Sequence, residues 1–207
     1  MCQMWDLNRC TLRSALAHLA ADGVLYSRQG SGTRIAPAFR RTMQDLQGFS
    51  EYAAAKGRKA ETRLLSFSAV ECDRHLAGRF RRVLGEKLYR IARLRLLDGM
   101  PVMIENSYIP WELAPGLEEH DLVRGSLFSV LRDVYGLELD HGEETTSITS
   151  ATEEEAAHLQ IEPDEPVFWI VSQTYNREDV TIEYCRTVGR ADIMEMGSTL
   201  HWNGGEG

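Results

Sequence analysis

The sequence predicts an α+β fold in which a small N-terminal module precedes a larger domain with a mainly antiparallel sheet. Three observations lead to this prediction: apolar residues at helical spacing near the N-terminus, strand-like runs joined by short turns further along, and an uneven distribution of charge. The 207 residues suffice for one full domain and part of a second, and 43% apolar with 26% charged residues is ordinary for a globular protein.

Charge divides the chain into two parts. Residues 1–41 contain six arginines and two aspartates, which gives them a net charge of +4. Because the whole chain has a net charge of −8, the remaining 166 residues have a net charge of −12. A basic module joined to an acidic domain indicates that the module binds an acidic partner and that the domain has another task.

Several classes of protein are not expected. No apolar run reaches the ~18 residues that cross a bilayer, and the N-terminal region lacks a signal-peptide pattern, so we expect a cytoplasmic protein. The cysteines are too widely spaced for a zinc site or a disulfide framework: they are Cys2, Cys10, Cys72 and Cys185. No motif ties a serine to a histidine base, so we expect no catalytic residue, no metal and no cofactor.

The N-terminal module is predicted to consist of a helix and a hairpin. The helix spans Thr11 to Ala21, because apolar residues recur at i, i+3, i+4 and i+7; they are Leu12, Ala15, Leu16 and Leu19. Asn8 is the expected N-cap, and Gly23 is the expected C-terminal stop. The hairpin is predicted as a strand over residues 24–28, a turn over 29–33 and a return strand over 34–36.

Three segments of this module resemble the winged helix-turn-helix of the GntR family of bacterial transcription regulators: Asn8–Leu16, Asp22–Leu25 and the run Arg-Gln-Gly-Ser-Gly-Thr at 28–33. An ordinary amphipathic helix beside a hairpin would not explain why the arginines and this run occur together. The resemblance implies contacts from Arg9, Thr11 and Arg13 in the major groove of DNA, and a wing that enters the minor groove through Gly30 and Gly32. The implied DNA-binding set is Asn8, Arg9, Thr11, Arg13, Arg28, Gln29, Gly30, Ser31, Gly32 and Thr33.

The winged helix of that family is longer than residues 1–36 and begins with helices that pack behind the recognition helix. Here only residues 1–4 could be the end of the positioning helix, so we expect an N-terminally incomplete winged helix-turn-helix. Leu12, Leu16 and Leu19 would then lack most of their packing partners. Translation that starts upstream and a real loss of part of the module are both open. The remaining predicted divisions are a linker at 37–42, an effector-binding domain at 43–198 and a tail at 199–207.

The larger domain is predicted to alternate helices with strands. The predicted strands are residues 63–70, 87–97, 102–109, 139–151, 167–176 and 180–188. The predicted helices are residues 43–56, 73–83, 127–135 and 152–159, the last beginning with a capping box.

One predicted hairpin has two possible registers around its Asp98-Gly99 turn. A two-residue turn places Arg95 opposite Val102 and Arg93 opposite Ile104. A longer turn or a bulge instead pairs Leu94 with Ile104 and Leu96 with Val102, and it sets Arg93 opposite Glu105 and Arg95 opposite Met103. We favour the second register because it separates apolar from charged residues, which puts two arginines and a carboxylate on one face. From the residues alone, this face is either an anion site or an ordinary cross-strand ion pair.

The same hairpin resembles the core of the UTRA effector-binding domain, which follows the winged helix in the HutC subfamily of GntR regulators. The resemblance rests on 93–101 and 105–110, with later motifs at 125–128 and 182–186, and it extends over about residues 42–195. It implies a fold similar to chorismate lyase, a homodimer, and binding of a small phosphorylated or carboxylated metabolite that modulates DNA binding.

The resemblance also implies roles for individual residues of this domain. Arg93 and Arg95 would bind an anionic group through charge-assisted hydrogen bonds. Ser50 and Ser126 would add neutral donors, Glu105 and Glu183 would hold hydroxyl or amine groups at the other end of the ligand, and Phe128 would stand in place of a common tyrosine. Gly48 and Gly189 replace residues with hydroxyl groups, which weakens the case for a sugar phosphate, although the two arginines still indicate an anion.

Together these features predict a ligand-responsive DNA-binding transcriptional regulator, a repressor that acts as a homodimer, with operator DNA and a small anionic metabolite as partners and no membrane partner. The alternatives are a metabolite-binding dimer that has lost DNA binding and an enzyme related to chorismate lyase. The basic helix and wing count against the enzyme, which has no use for them.

Overall fold

The computed structural model describes residues 8–21, 25–28, 32–35, 39–42 and 48–197. The chain divides into two compact units, Met1–Phe39 and Arg40–Gly207, which we call unit one and unit two. None of the described helices is long and apolar enough to cross a membrane.

Unit one contains the predicted helix, α1, at Arg9–Ala21. Asn8 is its N-cap as expected, because the Asn8 Oδ1 atom accepts a hydrogen bond of 2.9 Å from the backbone N–H of Cys10. Along the apolar stripe, Leu12 and Leu16 are half-buried, whereas Ala15 and Leu19 are exposed. The predicted stop at Gly23 lies outside the described residues.

The predicted hairpin follows α1 in two short strands, β1 at Leu25–Arg28 and β2 at Gly32–Ile35. The strands are antiparallel, and Leu25 pairs with Ile35 while Arg28 pairs with Gly32. The return strand therefore begins two residues earlier than predicted, and residues 29–31, which connect the two strands, lie outside the described part of the chain.

Unit two is built on an antiparallel sheet with the strand order β4-β5-β6-β9-β8-β7. Its strands are β4 at Ala60–Glu71, β5 at Lys87–Leu97, β6 at Met100–Pro110, β7 at His141–Ser150, β8 at Pro166–Tyr175 and β9 at Thr181–Arg190. Each predicted strand is present, and β5 has the predicted bounds. The β5–β6 and β8–β9 pairs are joined by short turns, which fits their antiparallel arrangement, whereas a helix lies within the β4–β5 and β7–β8 connections.

Helices connect and cover these strands. They are α2 at Phe49–Ala55, α3 at Arg74–Phe80, α4 at Leu127–Asp133 and α5 at Glu153–Leu159, with 3₁₀ turns at Trp111–Leu113 and Leu117–Glu119. The predicted capping box of α5 is confirmed, because Thr152 and Glu155 exchange side-chain and backbone hydrogen bonds. Residues 43–47 of the first predicted helix lie outside the described residues.

The β5–β6 hairpin confirms the favoured register and locates its bulge. Arg93 pairs with Glu105, Leu94 with Ile104 and Arg95 with Met103. The register then shifts, so the expected pairing of Leu96 with Val102 is wrong, and Leu96 lies opposite Pro101. Two residues, Asp98 and Gly99, form the turn with φ of 54° and 86°, and the bulge rather than a longer turn restores the separation of faces.

The predicted linker is in part a strand. Phe39–Thr42 forms β3, which pairs with β10 at Met194–Gly197 in a separate two-stranded sheet. The partners are about 150 residues apart in the sequence, so local patterns could not reveal the hydrogen bonds that order this segment. β10 itself was not predicted.

Alternation along β5 and β6 gives the main sheet two distinct faces. The arginine face bears Arg93, Arg95, Glu105 and Ser107, while the opposite face bears Leu94, Ile104 and Tyr108. Leu127 and Leu131 of α4 pack over the first face with Ile91 and Ile109. On the opposite face, α3 packs with Leu76 and Phe80 at one end, and α5 packs with Ala156 and Leu159 at the other. The sheet is therefore covered on both sides, and its central arginines are buried.

Candidate functional site

The candidate site is a buried polar cluster at the centre of the arginine face. The side chains of Arg93 and Arg95 are only 3% and 4% exposed. Both lie on β5, two residues apart, so strand alternation points them to the same side of the sheet. Two buried guanidinium groups in neighbouring positions repel one another and require negative charge nearby.

One carboxylate oxygen serves both arginines. The Oε2 atom of Glu105 lies 3.0 Å from Nη2 of Arg93 and 2.8 Å from Nε of Arg95. Glu105 therefore lies against the guanidinium groups, and not at the other end of the site as the family resemblance implied. The position directly opposite Arg93 on β6 explains this contact, because opposed residues on one face are neighbours.

The two arginines differ in how completely they are satisfied. Arg95 also donates a hydrogen bond of 2.7 Å from Nη1 to the Thr62 hydroxyl, and its guanidinium lies 5.5 Å from the ring centroid of Phe49. Arg93 donates a 3.2 Å hydrogen bond from Nη2 to the Ser107 hydroxyl. The Nε and Nη1 atoms of Arg93 are buried and have no hydrogen-bond partner among the residues that the structure describes.

The cluster continues across β6 onto β9. The Ser107 hydroxyl donates to the Cys185 thiol over 3.6 Å, and the same sulfur lies 3.6 Å from the Thr187 hydroxyl. Glu183 lies two residues before Cys185 on the same strand and is 4% exposed. Five polar side chains of β6 and β9 thus extend the charged pair into a buried polar strip: Glu105, Ser107, Glu183, Cys185 and Thr187.

Burial governs the ionisation of this strip. It lowers the pKa of Arg93, and the neighbouring charge of Arg95 lowers it further while Glu105 and Glu183 oppose the change. Burial raises the pKa of the Glu183 carboxyl, although the Ser107 hydroxyl and Arg93 favour its charged form. Burial also raises the pKa of the Cys185 thiol to about 12, so this cysteine is protonated at neutral pH.

The N-termini of two helices meet near the cluster. Phe49, which faces Arg95, is the first residue of α2, and Ser50 follows it, half-buried. A Cβ atom built on Gly48 would lie 3.2 Å from the Ser126 hydroxyl oxygen, and Ser126 is the N-cap of α4. Ser126 accepts a 3.3 Å hydrogen bond from the Ser129 backbone N–H. The starts of α2 and α4 therefore lie side by side, with Phe49 of α2 against Arg95.

Two further positions define the surroundings. Phe128 is half-buried and packs against the apolar cluster that includes Ile91 and Ile109. At Gly189 an added Cβ would overlap the sulfur of Met194, which is buried on β10. Met194 thus fills the space beside Gly189, where the family resemblance suggested a tyrosine.

The predicted DNA-binding residues belong to unit one. Asn8, Arg9, Thr11 and Arg13 are all exposed at the start of α1, with Arg9 and Arg13 one helical turn apart. Arg28 ends β1, while Gly32 and Thr33 begin β2. Gln29, Gly30 and Ser31 lie outside the described residues, so the tip of the wing stays a prediction.

Sequence reasoning missed Thr62, Ser107, Cys185 and Thr187. Ser107 follows Glu105 by two residues, and Cys185 and Thr187 follow Glu183 at the same spacing, so strand alternation could have identified all three. Thr62 lies opposite Arg95 on β4, beyond a shift in the β4–β5 register between Leu64 and Ser66. The sequence does not reveal that shift, so it does not predict this pairing. Within the described part of the chain, no three His, Cys, Asp or Glu residues are grouped as metal ligands.

Comparison with known proteins agrees with this architecture. The UTRA domain model matches residues 55–195. The HTH-type transcriptional repressor NagR of Bacillus subtilis is 29% identical over 195 residues, which cover 92% of this chain and 78% of that protein. The HTH-type transcriptional regulator GgaR of Escherichia coli is 26% identical over 194 residues, which cover 92% of this chain and 75% of that protein.

The crystal structure of PhnF from Mycobacterium smegmatis is similar with a TM-score of 0.76 and 28% identity, covering 97% of this chain and 88% of that one. A ligand-binding domain of a GntR-family regulator from Bordetella bronchiseptica shares the fold at a TM-score of 0.65 and 22% identity. These relatives are transcription regulators and not enzymes, so neither enzyme chemistry nor the chorismate lyase alternative is favoured. The chain belongs to the UTRA-domain family and is a transcription regulator of the GntR type.

Proposed function

We propose that this chain is a repressor that releases its operator DNA when a small anionic metabolite binds at the arginine face of unit two. The binding groups would be Arg93 and Arg95, with Ser50 and Ser126 as neutral donors, Glu105 and Glu183 as acceptors, and Phe128 at the apolar edge. Residues 1–36 would form the DNA-binding module and 43–198 the effector-binding domain, in a homodimer that acts in the cytoplasm.

The observation that supports this proposal most is the incomplete satisfaction of Arg93. A buried donor without a partner costs about 1–3 kcal/mol, and Arg93 has two such nitrogens. Proteins place unsatisfied buried groups where function requires them. An oxyanion is a natural acceptor for either of these nitrogens, because guanidinium N–H groups form charge-assisted hydrogen bonds with carboxylate or phosphate oxygens.

The balance of charge supports an anion rather than a neutral ligand. Two arginines share the one carboxylate of Glu105, which leaves an excess positive charge on these three side chains, and burial raises the pKa of the nearby Glu183 carboxyl, which disfavours the charged form of a second carboxylate. A monoanion would cancel this excess inside a region of low polarity, where charge pairing is strongest.

Ligand binding would alter DNA binding through a change in the preferred arrangement of the protein. The ligand shifts the equilibrium only if it binds one arrangement more tightly than another. The starts of α2 and α4 are suited to this, because both meet beside the arginines and their backbone N–H groups favour negative charge. Closure of these two helix starts on the anion would be the local event that is transmitted to unit one.

The DNA side of the proposal rests on exposed basic residues in unit one. Arg9 and Arg13 project from the same side of α1. Phosphate contacts make affinity depend steeply on salt, and loss of one such contact lowers the salt slope by about 1. We therefore expect Arg9→Gln and Arg13→Gln each to weaken binding to all DNA sequences or, where the arginine contacts a base, to relax specificity at that position.

The test measures release of DNA by fluorescence anisotropy. A labelled fragment from upstream of the protein's own gene is bound by the full chain and then titrated with hexose 6-phosphates, alkylphosphonates and carboxylated amino-acid catabolites. We expect one anionic compound to release the DNA, and its neutral counterpart to have no effect.

Two variants control this experiment. Arg93→Met should bind DNA but respond to no compound, whereas Arg124→Gln, which removes a charge whose side chain is 91% exposed, should behave as wild type. Equal release by the neutral counterpart, or by the anion from Arg93→Met, would overturn the effector assignment. Absence of any binding to the upstream fragment would overturn the DNA-binding part and favour a metabolite-binding dimer.

A further inference from the structure

The opposite face of the main sheet carries a second pair of arginines, which the proposed function does not use. Arg90 lies on β5 and Arg186 on β9, and both have the strand parity of Tyr108 and Tyr184. They occupy the middle of this face, between the cluster that α3 covers and the cluster that α5 covers. Both side chains are only partly exposed.

The two guanidinium groups approach β6 from opposite sides. Arg90 Nη2 donates a 3.2 Å hydrogen bond to Oδ1 of Asn106. Arg186 Nη2 donates to the Tyr108 hydroxyl, and its guanidinium lies 5.3 Å from the centroid of that ring. Asn106 and Tyr108 are next to one another on the same face of β6, so both guanidinium groups contact side chains of this one strand.

The strand register shows which residue of β6 lies opposite each arginine. Arg90 pairs with Tyr108 but reaches toward Asn106, and Arg186 pairs with Asn106 but contacts Tyr108. Each arginine side chain therefore reaches the residue of β6 that lies opposite the other arginine. The strands β5 and β9 are about 10 Å apart across β6, a distance that two arginine side chains span easily.

No carboxylate compensates this pair within the described part of the chain. Arg90 and Arg186 have no ion pair there, in contrast to Arg93 and Arg95, which share Glu105. The Nε atom of Arg90 is buried and has no hydrogen-bond partner. Two positive charges without a carboxylate partner and an unsatisfied buried donor are each unfavourable, and an oxyanion bound by both guanidinium groups would relieve both.

We propose that Arg90 and Arg186 form a second anion site, which binds a small oxyanion such as a phosphate or carboxylate group on the face opposite the Arg93 cluster. Nε and a terminal nitrogen of Arg90 would bind one edge of the anion, and Arg186 would bind the other. The Tyr108 hydroxyl and the Asn106 amide would complete the ring of polar groups. This site does not depend on the proposed effector site, since the two lie on different faces of the sheet.

Arginine Nε–H signals in a ¹⁵N-arginine-labelled full chain provide the test. The probe is inorganic phosphate, titrated at constant ionic strength against sodium chloride, and Arg90→Gln identifies the Arg90 signal. We expect this signal to shift and to saturate. In Arg186→Gln the midpoint should rise about tenfold, the change for loss of one charge-assisted hydrogen bond, and Arg186→Lys should recover part of it.

Arg93→Met separates this site from the effector site, because it should leave the Arg90 midpoint unchanged even if it abolishes effector binding. A signal that does not saturate, or that moves equally in chloride, would overturn the second site, as would an unchanged midpoint in Arg186→Gln. If the Arg90 signal shifts with protein concentration in the absence of phosphate, the site binds a carboxylate of a second copy of this chain, which would overturn the proposal of a small-anion site.

Discussion

Replacement of Arg93 by methionine is expected to leave the ligand-free protein as stable as wild type or more stable, although it removes a charged residue from the centre of the sheet. Methionine is unbranched and fills the space of the arginine stem without polar atoms. The variant removes a buried positive charge that the neighbouring like charge of Arg95 disfavours. It also removes the two nitrogens that have no partner.

The magnitude follows from the contacts of Arg93. Removal of two unsatisfied buried donors favours the variant by about 2–6 kcal/mol, taking about 1–3 kcal/mol for each. Against this, the variant loses the 3.2 Å hydrogen bond to Ser107 and the 3.0 Å ion pair to Glu105. Glu105 keeps its 2.8 Å contact with Arg95, so its charge stays paired, and the loss is about 2–4 kcal/mol. The two ranges together span a net change in the free energy of unfolding from a loss of about 2 to a gain of about 4 kcal/mol, with the midpoint at a gain of about 1 kcal/mol.

Arg95→Met is the matched variant on the same strand and face. Arg95 donates to both Glu105 and Thr62. Glu105 would keep its 3.0 Å contact with Arg93, but the hydrogen bonds from Arg95 to Glu105 and to Thr62 would be lost without removal of any unsatisfied donor, so the variant should cost about 2–4 kcal/mol. Urea unfolding followed by tryptophan fluorescence measures both variants against wild type. If Arg93→Met is destabilised as much as Arg95→Met, then Arg93 is a structural ion-pair residue and the reasoning from its unsatisfied nitrogens is refuted.

Three other outcomes follow from the same structure. Because burial raises the pKa of Glu183 above its ordinary 4.5, the native state binds this proton at higher pH than the unfolded state does, so the free energy of unfolding should fall as pH rises above that value. Glu183→Gln should flatten this fall, which is measured by urea midpoints across pH. An unchanged slope in the variant would contradict the prediction. Cys185, with a pKa of about 12, should resist iodoacetamide at mildly alkaline pH in the native protein, and mass spectrometry showing rapid modification would contradict its burial. Gly99→Ala should lower the free energy of unfolding by about 1 kcal/mol, because the φ of Gly99 is 86°. Gly78→Ala should raise it by about 0.5–1 kcal/mol, because Gly78 lies inside α3 with open space around the added carbon. Equal thermal midpoints of the two variants would contradict the turn geometry.

The sequence predicts elements well where local patterns suffice. The β5–β6 register follows from one requirement, that Leu94 and Ile104 face the same side while Arg93 and Glu105 face the other. The position of the bulge does not follow, because a bulge or a longer turn satisfies that requirement equally. The β3–β10 pairing was missed for a different reason: each strand has four residues, and only a distant partner stabilises it.

The candidate site shows the same limit in chemical terms. Alternation brings Arg93 and Arg95 to one face, and the sequence therefore predicts that they lie together. It does not predict which nitrogen atoms are satisfied, since that depends on the conformation of each side chain. Glu105 illustrates this, because one of its oxygens contacts both arginines, whereas family resemblance assigned it to the far end of a ligand. The unsatisfied nitrogen atoms of Arg93, which support the proposal of an anionic ligand, can be identified only from the three-dimensional structure.

A residue that destabilises the ligand-free state and binds the ligand is expected in a sensor. Part of the binding free energy then comes from relief of the unsatisfied groups, so the ligand-bound state gains more than the contacts alone provide. Arg93 has this character, whereas Arg95, which is well paired, maintains the geometry of the cluster. The two arginines of one motif would thus have different tasks.

Isothermal titration calorimetry with the anionic compound that releases the DNA measures binding at unit two independently of DNA. Wild type, Arg93→Met and Arg124→Gln are titrated under the same conditions. We expect equal affinity for wild type and Arg124→Gln, and at least about a hundredfold weaker binding to Arg93→Met, the loss of roughly two charge-assisted hydrogen bonds. Binding to Arg93→Met with the affinity of wild type would show that Arg93 does not bind the effector.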